Sequence, residues 1–119
     1  MSNNVVKDKS KKFALRIIKL YKYLSEDKRE YVMSKQLLRS GTSIGANICE
    51  ADHSMSKREF NAKMNISLKE VAETEYWLEL LSESEYINQN EFSSIIKDCT
   101  EIKGLLISII KTTNRNLKL

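Results

Sequence analysis

Four segments of the chain repeat apolar residues at helical spacing, with polar residues between them. In the first, Phe13, Ile17, Leu20, Tyr21 and Leu24 project to one face, which predicts a helix over about residues 10–24. Leu15 and Ile18 lie more than about 90 degrees away on that helix, at 100 degrees per residue, so it carries a second apolar arc. The second segment places Met33, Leu37, Ile44 and Ile48 on one line and predicts a helix over 28–51. The third, with Phe60, Met64, Ser67, Leu68, Val71, Leu78 and Leu81 inward, predicts 57–84, a helix roughly 40 Å long at 1.5 Å per residue. The fourth carries Phe92, Ile95, Ile96, Cys99, Ile102, Leu106, Ile109 and Ile110 over 89–114, and residues 115–119 are expected to fray.

The polar links read as helix starts. Asp27 and Glu30, Ser56 and Glu59, and Asn88 and Glu91 each have the spacing of a capping box. Met55 with Phe60, and Ile87 with Phe92, occupy the positions of a hydrophobic staple around the last two. Short links force neighbouring helices to run antiparallel, so the expected fold is all-α, an up-down-up-down four-helix bundle in one domain over residues 1–119. Composition agrees: the chain has no proline and only three glycines, too few for the many turns of a sheet protein of this length.

No run of residues is long and apolar enough for a membrane span, and the N-terminus lacks the apolar core of a signal peptide, so a cytoplasmic location is expected. Cys49 and Cys99 fall at or beside core positions and behave there as small hydrophobes. With a single histidine they form no ligand set of recognisable spacing, so neither a disulfide, a metal nor a cofactor is expected. Asn65 to Ser67 matches a glycosylation pattern that a cytoplasmic helix leaves unused.

Catalysis needs reactive groups that converge, and the chain offers few. His53 stands in a polar loop without a base or orienting partner, and reads as a solvated residue. Ser40 to Gly45 lacks the Gly-Lys-Ser/Thr ending of a phosphate loop and follows no strand. Glu70, Glu73, Glu75, Glu79 and Glu83 line the third helix, but no histidine accompanies them to build a di-iron site. A non-enzymatic role is expected.

Charge is distributed unevenly behind the net +4. Residues 1–30 hold nine basic and four acidic groups, whereas residues 70–91 hold seven acidic groups and no basic one. On the first helix Lys9, Lys12, Arg16 and Lys19 fall within an arc of about 80 degrees, a stripe suited to phosphates. Segregation of acid from base also suits head-to-tail assembly, with the first helix of one subunit on the third helix of the next. Tyr76 and Trp77, adjacent on the third helix, cannot both enter one core. Together with Leu15 and Ile18 they leave surplus apolar surface, which marks an oligomer interface.

The stretch from Gln36 to Ala51, QLLRSGTSIGANICEA, concentrates small and polar residues inside a helix. A helical glycine costs about 0.5–1 kcal/mol relative to Ala, so Gly41 and Gly45, with Ser40, are read as places where a neighbouring helix comes close. Asn47 and Glu50 are then expected in cross-helix hydrogen bonds, with Arg39, Glu73 and Thr74 as partners.

The run from Gln36 to Glu50, followed by Glu59-Phe60, Ile66-Ser67-Leu68, Glu73-Thr74-Glu75 and Leu78, resembles the bacterial 23S rRNA intervening-sequence proteins. Ala51 stands where that family usually has Gly, and Lys69 and Glu70 where it has small residues. The resemblance implies a four-helix bundle assembled as a ring-like homopentamer. Some relatives are encoded within intervening sequences of large-subunit rRNA genes. Others are accessory proteins of diversity-generating retroelements, which bind a reverse transcriptase and nucleic acid. Together these readings give an expected oligomeric adaptor for RNA or DNA working through the basic first helix, or alternatively a protein-interaction scaffold or reverse-transcriptase accessory subunit.

Overall fold

The computed structural model describes residues 2–117. It is an all-α, antiparallel four-helix bundle of 48 × 22 × 21 Å, with α1 (Ser2–Lys22), α2 (Met33–Ala51), α3 (Lys57–Glu83) and α4 (Gln89–Leu117). Helix α1 packs on α2 and α4, and α3 lies diagonally across from it. All four helices feed one core that includes Phe13, Ile17, Leu37, Ile44, Ile48, Met64, Leu78, Ile102 and Leu106.

Helix α1 begins at Ser2 rather than near Ser10. Val6, one heptad before Phe13, is fully buried and Ser10 nearly so, which extends the buried line by two turns. At the other chain end, α4 stays helical through Leu117 where fraying from Arg115 was expected, and residues 118 and 119 lie outside the described residues.

The junction between α1 and α2 departs most from expectation. The chain keeps winding past α1 through a π-helical turn, Tyr23–Asp27, which carries Leu24 into the core with no exposure. The turn closes with Glu30 N–H donating to the Leu24 carbonyl (2.8 Å) and with Arg29 at φ 54°, in the left-handed region. Asp27 is therefore no helix cap, and α2 starts at Met33 instead of Lys28. The cap is Glu30: its buried carboxylate accepts from the amides of Val32 (3.1 Å), Met33 (3.0 Å) and Ser34 (2.7 Å), three donors that a helix start leaves without intrahelical partners.

The later starts follow the sequence more closely. Ser56 Oγ accepts from Glu59 N–H at 3.1 Å, and Asn88 and Glu91 exchange two hydrogen bonds of 2.8 Å. Met55 makes no staple: it is 91% exposed, while Phe60 packs on the core without it. Helix α3 ends in a Schellman arrangement, with Tyr86 N–H donating to the Leu81 carbonyl (2.9 Å), Glu85 N–H to Ser82 (3.1 Å) and Glu85 at φ 69°. A non-glycine residue there bears a left-handed penalty of about 1 kcal/mol, so Glu85→Gly is expected to raise unfolding free energy by about that amount. Urea denaturation checks this, and a lowered midpoint would contradict it.

Two seams explain the composition of α2. Toward α1, a Cβ built on Gly41 would lie 2.8 and 2.9 Å from Ile17 Cγ1 and Cγ2, and one on Gly45 would lie 3.1 Å from Ser10 Oγ. Toward α3, buried hydroxyls cross the interface: Ser67 Oγ donates to the Ile44 carbonyl (2.8 Å), and Thr74 Oγ1 to Ser40 Oγ (2.9 Å). Small side chains thus let both neighbours approach α2, and each buried hydroxyl on the α3 side is hydrogen-bonded.

Candidate nucleic-acid interface

The core line Val6, Phe13, Ile17 and Leu24 fixes how α1 is rotated, and therefore which of its cations face outward. Lys9 and Arg16 lie on the edge that faces α4. Lys9 Nζ is 3.1 Å from Glu101. Arg16 reaches Asp98 (2.7 Å), the Ser94 carbonyl (3.3 Å) and Ser94 Oγ (3.0 Å). These two members of the stripe are tied to the neighbouring helix, through half-exposed pairs that add little stability.

Lys12 and Lys19 are exposed, and no carboxylate among the described residues lies within ion-pair distance of either. Lys11 and Lys22, which the stripe omits, are exposed and unpaired in the same way. The outward face of α1 is therefore a group of four lysines around Leu15, which is 59% exposed, with half-buried Ile18 beside it. The sequence signal for including Lys11 and Lys22 was the position of Leu15 itself: both lie within about 40 degrees of it. Asp8 is the one acidic residue on this face.

The polar residues of α2 divide differently from expectation. Arg39 bridges to Glu70 (3.3 Å) and to Glu73 on α3, and Glu73 also accepts from Trp77 Nε1 at 3.0 Å. The hydrogen bond from Arg39, then that from Trp77, holds the Glu73 carboxyl below its ordinary range. Asn47 does not cross to α3. Its amide donates to the Ser43 carbonyl of its own helix (2.8 Å), a bond that a half-buried Asn can make without a partner helix. Glu50 is exposed and pairs with Lys63 (2.8 Å) instead of Arg39, Glu73 or Thr74. Thr74 serves the hydroxyl seam with Ser40.

Of the apolar residues outside the core, Tyr76 is 54% exposed, and Trp77 lies half-buried against it edge-to-face at 5.3 Å. Leu15 and Ile18 stand on α1, diagonal to this pair, so the four residues form two separate patches. His53 is exposed in the loop after α2. Among the described residues, no three His, Cys, Asp or Glu side chains group to hold a metal, and no helix is long and apolar enough to cross a membrane. Cys49 is exposed on α2 and is not a core residue. Cys99 is buried, which pushes its thiol up to about 12, so it is no thiolate nucleophile near neutral pH.

With this geometry in place, comparison with known proteins decides the family. The sequence profile of the 23S rRNA-intervening sequence proteins matches residues 2–108. The chain belongs to this family. A solved structure from the S23 ribosomal protein family, a Bacteroides thetaiotaomicron protein described as of unknown function, is 61% identical to this chain. The alignment covers 93% of this chain and 99% of that one, with a TM-score of 0.92. No curated protein sequence matches. The match to the intervening-sequence family spans every residue of the lysine face and of both α2 seams.

Proposed function

We propose that this protein is a non-enzymatic, nucleic-acid-binding adaptor whose phosphate contacts come from the outward face of α1, multiplied by self-association into a ring. The observation that carries the reading is that Lys11, Lys12, Lys19 and Lys22 share one exposed face and have no carboxylate partner among the described residues. Unpaired lysines on a helix release counterions when they meet phosphates, and a ring of copies turns a weak patch into a multivalent one. The acidic helix α3 stands diagonally opposite, away from this face.

A second reading has its own support. Exposed Leu15 lies amid the lysines, and exposed Tyr76 lies on acidic α3, as a subunit-to-subunit contact or a protein partner such as a reverse transcriptase would need. The double variant Lys12→Glu/Lys19→Glu separates the two. The adaptor predicts binding of labelled RNA or duplex DNA that falls steeply with salt. It also predicts at least about tenfold weaker binding in the variant, with the assembly mass unchanged. Loss of the assembly in that variant favours the scaffold. Absence of binding at low salt by an intact assembly removes the adaptor. A light-scattering mass equal to one 13.8 kDa chain removes the ring.

A further inference from the structure

Beside the lysine face, a groove of about 620 Å³ runs between the C-terminal half of α1 and the start of α4. That size falls within the roughly 300–1,000 Å³ typical of small-ligand sites. Its floor is apolar, made by Leu20, Tyr23, Ile87 and Ile95. Its α1 wall is cationic, with Arg16 and Lys19. Its α4 wall carries Asn90 and Ser94, together with Glu91, whose carboxylate is already engaged by the Asn88 amide at 2.8 Å.

We infer that this groove receives an unpaired base of a single-stranded nucleic acid whose backbone follows the lysines of α1; the inference rests on the adaptor reading and deepens it. Charge sets the orientation. Phosphates are drawn to Lys19 and the lysines beyond it and are repelled by Glu91, so the base and not the phosphate enters between the walls. Two flat surfaces await it. One is the Tyr23 ring, whose π system already attracts Lys28 Nζ at 5.8 Å from its centroid. The other is the Arg16 guanidinium, held by Asp98 and by both oxygens of Ser94. The pairing of Arg16 with α4 satisfies its charge but fixes its plane, which suits stacking on a base. The Asn90 side chain offers a donor and an acceptor for the edge of that base. A base locked in a duplex cannot enter such a groove without being unstacked, so the site selects single strands.

The test uses the full chain with a short labelled RNA, as a single strand and as a duplex of the same sequence. Single-strand binding is expected to be at least about tenfold tighter than duplex binding at equal salt. Tyr23→Leu removes the ring but keeps apolar bulk, and Arg16→Lys keeps the charge but loses the plane. Each is expected to weaken single-strand binding by roughly 5- to 100-fold while leaving the duplex within about twofold. In the unaltered protein, methyl resonances of Leu20, Ile87 and Ile95 should shift with the single strand and not with the duplex, which keeps the test independent of how the variants fold. Equal affinity for both probes, or unmoved methyls at saturation, overturns the groove. If Lys12→Glu/Lys19→Glu still weakens binding in that case, the adaptor reading stands without it. No binding of either probe at low salt overturns both.

Discussion

Replacing Gly41 with Ala is expected to cost about 1–2 kcal/mol of unfolding free energy, whereas the same substitution at Gly104 is expected to add about 1 kcal/mol. Intrinsic helix propensity favours Ala by up to about 1 kcal/mol at both positions. What differs is the space. At Gly104 an added Cβ meets nothing within 4 Å, so the propensity gain is realised in full. At Gly41 it would lie 2.8 and 2.9 Å from two γ carbons of Ile17, a fully buried side chain whose β-branched rotamer is stiff. Overpacking of that kind costs about 1–3 kcal/mol and outweighs the gain. Urea denaturation of the two variants gives the signs directly. Adding Ile17→Ala to Gly41→Ala should return less than the sum of the two single losses, because the residues share one contact. Strict additivity would show that the close approach of α1 and α2 is not what holds Gly41 as glycine.

The bundle was legible because its apolar residues keep a clean helical period and because Ser56 and Asn88 are strong caps beside short links. Where the expectation failed, a tertiary demand overrode a local pattern. Asp27 and Glu30 have capping-box spacing, yet the burial of Leu24 keeps the chain winding through Asp27, and Glu30 becomes the cap from the other direction. The start of α1 was missed because Val5 and Val6 are the only apolar residues from Ser2 to Lys12, too few to show a helical period. In the candidate site, helical angles put Lys9, Lys12, Arg16 and Lys19 within one arc but carried no information about which helix lies alongside. Only the packing of α4 shows that Glu101 and Asp98 engage two of them. The groove was not legible at all, since its walls come from segments some seventy residues apart in the chain.

The same junction gives the second large effect. Glu30→Ala is expected to destabilise the protein by about 2–3 kcal/mol near neutral pH, because it removes one carboxylate from three amides at the start of α2. Glu30→Gln keeps a carbonyl acceptor but loses the charge, and should cost about half as much. The effect depends on pH with a definite sign. Burial pushes the Glu30 carboxyl up, but the amides of Met33, Ser34 and Val32 outweigh it, so the net shift is downward from 4.5. The unfolded chain then binds a proton more readily than the folded one, and stability rises with pH across that window. The contribution of Glu30 is complete above the unfolded carboxyl pKa and is lost as pH falls through the lower folded value. Glu73, held down by Arg39 and Trp77, acts in the same direction but is more exposed, so its share is smaller. Urea midpoints measured from neutral pH into acid should therefore converge for the wild type and Glu30→Gln at the acid end and separate as pH rises. A constant gap across the whole range would mean that Glu30 supports α2 by filling space and not by its charge.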